Sequence, residues 1–285
     1  MEEYMVSSFL MIGQSNMAGR GYIKDVKQIY DEQIKMLVNG RWQTMTEPIN
    51  FDRPTAGIGL AASFAGAWRL ANENEQIGLI PCADGGSSLD DWAVGGTLFE
   101  NALFQAKMAL RISKLNGILW HQGENDSFAG RSTVYHDKLS VIINALRHEL
   151  DALEIPLIVG GIGEFLDSGR YGKYFTEYRQ VNQALQEFAE TEPNVYFVTS
   201  KGLTANDDGL HFDAVSQRRF GVRYYEAYSK KKSVLEPLPS EDDLVTIIQD
   251  RPLTKTEKVA LLEIRFAGGK MPLNEFEEQF AILNK

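Results

Sequence analysis

Short apolar runs that end on glycine, proline or a polar cluster alternate along this chain with longer segments whose apolar residues fall three or four apart. That rhythm restricts the fold more than any other feature. The short runs occupy residues 7–12, 77–81, 117–120, 156–160 and 195–199, and they read as strands. Residues 60–70, 98–112, 134–150 and 175–188 carry helical spacing. A last helix is expected from an N-cap at Asp213 through Tyr228. Strands that alternate with helices predict a parallel sheet covered on both faces. The expected fold class is therefore α/β, an open three-layer α/β/α sandwich with a mainly parallel sheet of about five strands. Residues 35–43 depart from the rhythm. There Asn39-Gly40 sits between Met36-Leu37-Val38 and Arg41-Trp42-Gln43 and suits a type I′ hairpin turn, so a small β excursion is expected.

The rhythm stops near Ser229. Residues 1–229 read as one α/β domain. Lys230-Lys231-Lys232 and the proline-bearing acidic stretch 237–243 read as a linker spanning 230–252. Residues 253–285 read as a short helical hairpin. Thr254 and Glu257 fit a capping box, Gly268-Gly269 breaks the first helix, and Phe276, Phe280 and Leu283 mark the second. This appendage carries no chemistry and is a candidate contact between copies of the chain.

Of the 285 residues 44% are hydrophobic, enough for a full core at this length. The net charge of −10 repels phosphate backbones, which argues against nucleic acid as a partner. One cysteine, Cys82, excludes an intrachain disulfide and is compatible with a reducing compartment. Met1-Glu2-Glu3 puts acid where an export signal carries base, and the apolar run at 9–12 is short for such a signal. No apolar stretch approaches the roughly 20 residues of a membrane span. A cytoplasmic chain without a membrane partner is expected.

Ligands of open α/β sheets bind beyond the carboxyl ends of the strands. Polar segments spaced by glycine follow every proposed strand. They are Gly13-Gln14-Ser15-Asn16-Met17-Ala18-Gly19, then Cys82-Ala83-Asp84-Gly85-Gly86-Ser87-Ser88, then His121-Gln122-Gly123-Glu124-Asn125-Asp126, then Gly161-Ile162-Gly163-Glu164, and Asp207-Asp208-Gly209-Leu210-His211-Phe212-Asp213. Their shared sheet edge is the strongest signal in the chain. Ser15 is either a helix N-cap or a nucleophile, and a serine hydroxyl attacks only when a base takes its proton. Of the four histidines, His136 and His148 fall within a helix. His211 lies on a glycine-bearing loop with Asp208 three residues before it, close enough for the carboxylate to hold Nδ1 and leave Nε2 for the serine. Asp207 is the second candidate acid. Gly85 or Gly86 can bring a backbone N–H to an oxyanion, and Gln122 and Asn125 each carry a side-chain NH₂. His121-x-x-Glu124 and His211-x-Asp213 supply no convincing set of three ligands, so no metal is expected. Gly13–21 lacks the lysine of a phosphate loop, and no organic cofactor is expected.

At these residues the chain resembles the SGNH hydrolase superfamily, and within it the branch of carbohydrate esterase family 6 and sialate O-acetylesterases, which is related to acetylxylan esterases. The segment 13–21 matches that branch's first block. Residues 81–88 resemble its glycine block, Trp120-His121-Gln122-Gly123-Glu124-Asn125-Asp126 its His-Gln-Gly-Glu block, and Asp208-Gly209-Leu210-His211-Phe212 its Asp-x-x-His block. The likeness spans about residues 5–228. It implies an SGNH or flavodoxin-like sandwich, with Ser15 as nucleophile, His211 as general base and Asp208 as the acid that orients it. It implies oxyanion donors from the Ser15 N–H, from Gly86 with Gly85 as rival, and from Gln122 with Asn125 as rival. The wider superfamily has Gly-Asp-Ser where this chain has Gln14 before the serine. Gln14, Asn16, Arg20 and Glu124 are expected to line or support the site, with Glu124 and Arg20 as a pair. Trp92 is either a sugar platform or a core tryptophan. The activity implied is removal of acetyl groups from a small acetylated carbohydrate through an acetyl-enzyme. The alternatives are an esterase, lipase or thioesterase for other acyl groups, and a carbohydrate-binding domain without catalysis.

Overall fold

β1 (Val6–Gly13) is buried at all eight positions and runs through the middle of the protein. Leu10 and Ile12 face one side of the sheet, Phe9 and Met11 the other, as the alternating direction of strand side chains requires. A strand that is apolar on both faces needs a covering layer on each. Both layers are present in the computed structural model, which describes residues 5–168 and 170–284. The acidic Met1-Glu2-Glu3 terminus lies outside the described residues.

After β1 come α1 (Ser15–Ala18), β2 (Ile34–Val38), β3 (Arg41–Thr44), α2 (Ala61–Ala71), β4 (Ile77–Pro81), α3 (Thr97–Ala109), β5 (Ser113–His121), α4 (Tyr135–Glu149), β6 (Leu157–Gly160), α5 (Tyr178–Thr191), β7 (Val195–Val198) and α6 (Ala214–Lys230). The strands form one seven-stranded sheet in the order β3-β2-β4-β1-β5-β6-β7. Every neighbouring pair is parallel except β2 with β3. Apolar residues of α3, α4 and α5 close one face with Leu10, Ile118 and Val159. Those of α2 and α6 close the other with Phe9, Leu119 and Ile158. The three-layer α/β sandwich is thus the observed fold.

The sheet has seven strands rather than about five. The hairpin at 35–43 forms, with Asn39 at φ 51° and Gly40 at φ 72°, the two left-handed positions of a type I′ turn. It is not an excursion, because buried Ile34 and Met36 let β2 dock parallel on β4 and extend the main sheet. β5 also starts four residues before the apolar run at 117, since its first half alternates with polar residues, among them exposed Lys114, at the sheet's rim. β1 leads to β2 and β4 on one side, and the chain then crosses to β5 on the other. The carboxyl end of β1 therefore lies at a switch point, where such sheets open a crevice.

Beyond α6 lie α7 (Glu241–Gln249), α8 (Lys255–Ala267) and α9 (Leu273–Leu283). The stretch expected as a linker at 230–252 thus holds a helix. Its acidic run looks solvated in the sequence, but Glu241 pairs with Arg223 and Asp242 with Arg219, both on α6. Acidic residues also suit the first turn of a helix. α7 sits so close to α2 that a Cβ on Gly66 would lie 2.4 Å from Ile248 Cγ2. The capping box of Thr254 and Glu257 is present, and Phe266, Phe276 and Phe280 stack at 4.6 and 5.6 Å between ring centres. Among the described residues no helix is long and apolar enough to cross a membrane.

Candidate active site

β1 ends beside β5, and the two backbones approach so closely that a Cβ on Gly13 would sit 2.1 Å from the His121 carbonyl oxygen. Only glycine fits there, and its φ of +133° turns the chain off the strand. Ser15 follows as the first residue of α1. From the far side of the sheet edge, the loop between β7 and α6 brings His211 to it. Gly209 turns this loop at φ 66°, and Asp213 anchors its end by capping α6 through the Ser216 N–H at 2.7 Å.

Three side chains then meet in a line. His211 Nε2 lies 3.0 Å from Ser15 Oγ, and His211 Nδ1 lies 2.7 Å from Asp208 Oδ2. Asp208 Oδ1 accepts the backbone N–H groups of Leu210 and His211 at 2.8 and 2.9 Å. Burial pushes the Asp208 carboxyl up, but the hydrogen bonds from the His211 side chain and from both backbone N–H groups outweigh it and hold the group at about 2. Asp208 thus stays ionised and, through its contact with Nδ1, aims Nε2 at the serine. Asp207, the other candidate acid, points to solvent and takes no part.

The glycine block separates its two candidates. Gly85 N–H already donates to Asp52 Oδ2 at 2.8 Å. Gly86 N–H has no protein partner among the described residues, and with φ at +82° the glycine faces open space, no atom lying within 4 Å of a Cβ placed there. Gly86 is the available donor.

Gln122 does not fill the role expected of it. It is fully buried, and its Nε2 donates to the Ser87 carbonyl at 3.1 Å and to Asp126 Oδ2 at 2.6 Å, so both amide hydrogens are committed. Turning the amide over would set its oxygen against two acceptors, which fixes this orientation. Asn125 uses its Nδ2 to hold the Gly86 carbonyl at 2.6 Å. Of the three amides only that of Gln14 has both hydrogens without a protein acceptor among the described residues. Its Oε1 accepts the N–H groups of Gly123 and Asn125 at 3.1 and 3.4 Å, and its Nε2 donates to no protein atom among the described residues. Gln14 was expected only to line the site. The signal for more was its place before Ser15, where the wider pattern has an acid, which cannot donate.

Other expectations change as well. Arg20 does not pair with Glu124. Its guanidinium binds Asp52 at 2.5 Å, both side chains being buried. Glu124 instead accepts Asn16 Nδ2 at 2.5 Å, while Asn16 Oδ1 accepts the Phe212 N–H at 3.1 Å. Asn16 therefore ties the helix that starts at Ser15 to the His-Gln-Gly-Glu loop and to the His211 loop. Asp52 lies outside every glycine block, and nothing in the sequence marked it. Trp92 is a core tryptophan, fully buried, with its indole N–H on Ser87 Oγ at 3.0 Å and its ring on Trp120. His121 is buried between Phe212 and Phe220 with Nε2 on the Gly161 carbonyl, and burial lowers its pKa. Among the described residues no three His, Cys, Asp or Glu side chains are placed to hold a metal ion.

A serine, a histidine and a carboxylate in hydrogen-bond contact, with the Gly86 N–H and the Gln14 amide uncommitted among the described residues, form an arrangement suited to acyl transfer. Comparison with known proteins agrees with that chemistry. Residues 5–230 match the family described as carbohydrate esterase, sialic acid-specific acetylesterase. A probable carbohydrate esterase of Arabidopsis thaliana is 30% identical over 242 residues, covering 77% of this chain and 89% of that one. An Arabidopsis thaliana protein of solved structure superposes with a TM-score of 0.71 at 26% identity, over 79% of this chain and 98% of its own. A carbohydrate acetylesterase from Xanthomonas citri shares the fold, with a TM-score of 0.58 at 16% identity, over 79% of this chain and 57% of its own.

Proposed function

The chain belongs to the carbohydrate esterase, sialic acid-specific acetylesterase family, and from that premise we propose that it removes O-acetyl groups from xylan- or sialate-type sugars with Ser15 as nucleophile. As a member of this family it is a carboxylic ester hydrolase acting on acetyl esters. The observation that carries the assignment of residues is the unbroken relay from Asp208 through His211 to Ser15, with contacts of 2.7 and 3.0 Å.

In the proposed reaction His211 Nε2 takes the proton of Ser15 Oγ as the oxygen attacks the acetyl carbonyl. The oxyanion receives the N–H groups of Ser15 and Gly86 and Gln14 Nε2. The intermediate collapses, the sugar oxygen takes the proton back from His211, and the acetyl group stays on Ser15. Water, deprotonated by the same histidine, then releases acetate. Asp208 stabilises the imidazolium at each stage without itself taking a proton.

The test is acetate release from acetylated xylan, O-acetylated sialic acid and a panel of small acetylated sugars. Wild type is compared with Ser15→Ala and His211→Ala. Release by wild type that disappears in both variants supports the proposal, and an unchanged rate in Ser15→Ala sinks it.

A further inference from the structure

We propose that the groove on the His211 side of Ser15 receives the departing sugar, with Tyr22 as the aromatic platform on which its ring rests. The proposal rests on the esterase reading above and assigns that site its leaving-group pocket.

The chemistry fixes the side. The sugar oxygen must take its proton from His211 Nε2, so the sugar has to lie beside the imidazole and away from the oxyanion donors. A groove of about 600 Å³ opens there, with Arg20, Tyr22, Thr55, Gly57, Asp208 and His211 among its walls. Neither Gly86 nor Gln14 lines it. Tyr22 is 41% exposed, and it is the one aromatic side chain of the groove among the described residues. A ring left open at the mouth of a site offers an apolar face to the C–H face of a sugar and a hydroxyl to its oxygens. Trp92, the aromatic that the sequence offered for this task, is in the core.

The platform is held at a set place relative to the imidazole. Gly21 and Ile58 exchange backbone hydrogen bonds at 3.0 and 2.8 Å, and Gly57 N–H donates to the Gly19 carbonyl at 3.0 Å. The two backbones are so close that a Cβ on Gly57 would sit 2.3 Å from the Gly21 oxygen. Asn206 then joins this segment to the catalytic loop. Its Nδ2 donates to the Arg20 carbonyl at 2.8 Å, and its backbone N–H donates to the His211 carbonyl at 2.7 Å. One buried residue thus spans from His211 to the peptide two positions before Tyr22. Arg20 is neutralised by Asp52 and closes the groove without offering a free charge. During acylation the bond from Ser15 Oγ to the acetyl carbon forms and the bond from that carbon to the sugar oxygen breaks. The sugar then leaves as the protonated alcohol along Tyr22.

The test compares xylose tetraacetate with vinyl acetate, whose leaving group has no ring. Tyr22→Ala is expected to lower kcat/KM for the sugar ester about five- to tenfold more than for vinyl acetate, mostly through KM. Tyr22→Phe, which keeps the ring, is expected to restore the ratio. Because the readout is a ratio within one variant, a general loss of folded protein cancels. Equal losses on both esters overturn the assignment. Ser15→Ala separates the two levels. If it is inactive while Tyr22→Ala leaves the ratio unchanged, only the groove assignment fails; if it remains active, the esterase reading itself fails.

Discussion

At the carboxyl edge of the sheet, the Asp208 side chain is 38% exposed and holds a histidine whose other nitrogen is left for Ser15. At the junction of α6 and α7, the Glu241 side chain is 10% exposed and grips Arg223 with both oxygens, at 2.6 and 2.7 Å, while Arg223 also donates to the Thr199 and Lys201 carbonyls. Both are carboxylates facing a nitrogen base. In the second cluster the donors named are all matched to acceptors, and the result is adhesion. In the first, the Gly86 N–H and the Gln14 Nε2 are held in place by their neighbours but donate to no protein atom among the described residues, and Ser15 Oγ meets only the imidazole. The difference between a site and a joint lies in which groups are left over once the hydrogen bonds are counted.

Mutation should split the two regions cleanly. The largest effect is expected from Ser15→Ala, a loss in kcat on the order of 10⁶-fold, about 8 kcal/mol of transition-state stabilisation. Its thermal midpoint should stay close to wild type, because the side chain contributes one hydrogen bond at the surface of the site. Glu241→Ala should do the reverse. Removing one partner of a buried pair costs about 3 kcal/mol, the low end of the usual range because Arg223 keeps its two carbonyl partners. Activity of the folded fraction should be retained. Denaturation followed alongside acetate release checks both, and a Glu241→Ala protein that is stable but inactive would break the distinction.

The two glutamines sharpen it further, since they lie on the same sheet edge. Gln14→Ala should lower kcat about 10²- to 10³-fold, the usual cost of one oxyanion donor, and, because it also strips the Gly123 and Asn125 N–H groups of their acceptor, should lower stability by about 1–3 kcal/mol as well. Gln122→Ala removes the donor to Ser87 and Asp126 and should act mainly on stability, by about 1–3 kcal/mol. Kinetics and melting curves on both variants decide between them. If Gln122→Ala were the one that lost kcat with its fold intact, the assignment of donors would have to be exchanged.

These glutamines also mark where sequence reasoning stops. Helices were legible from local periodicity, as with Asp213 and the helix it caps, and the hairpin turn was legible from Asn39-Gly40 because its φ angles are a local requirement. Ser15, Asp208 and His211 were legible because each follows a strand and strands of an open sheet end together. Side-chain direction across the sheet edge was not. Whether Gln14 or Gln122 keeps a free amide depends on Gly123, Asn125, Ser87 and Asp126, which lie far apart in sequence. The same holds for Arg20, which turns to Asp52 rather than Glu124, and for Trp92, whose burial is set by Trp120. The acidic run at 241–243 misled for a related reason, since a charge run reads as solvated until the arginines of another helix are brought to it.

The smallest expected effect concerns pH and returns to Asp208. Its carboxyl is held at about 2 in the folded protein, below the usual value of 3.8. A lowered pKa means that the folded state binds this proton less readily than the unfolded chain does. The stability it contributes is therefore fully present above about pH 4 and is lost as the pH falls through about 2. With the side chain 38% exposed, solvent screening reduces that contribution to about 1 kcal/mol. Asp208→Asn removes the titration. The difference in melting temperature between wild type and Asp208→Asn should shrink between pH 4 and 2. A difference that stays constant down to pH 2 would mean that His211 and the two backbone N–H groups do not stabilise the carboxylate. The relay would then lack the fixed acid that distinguishes it from the fully matched pair at Glu241.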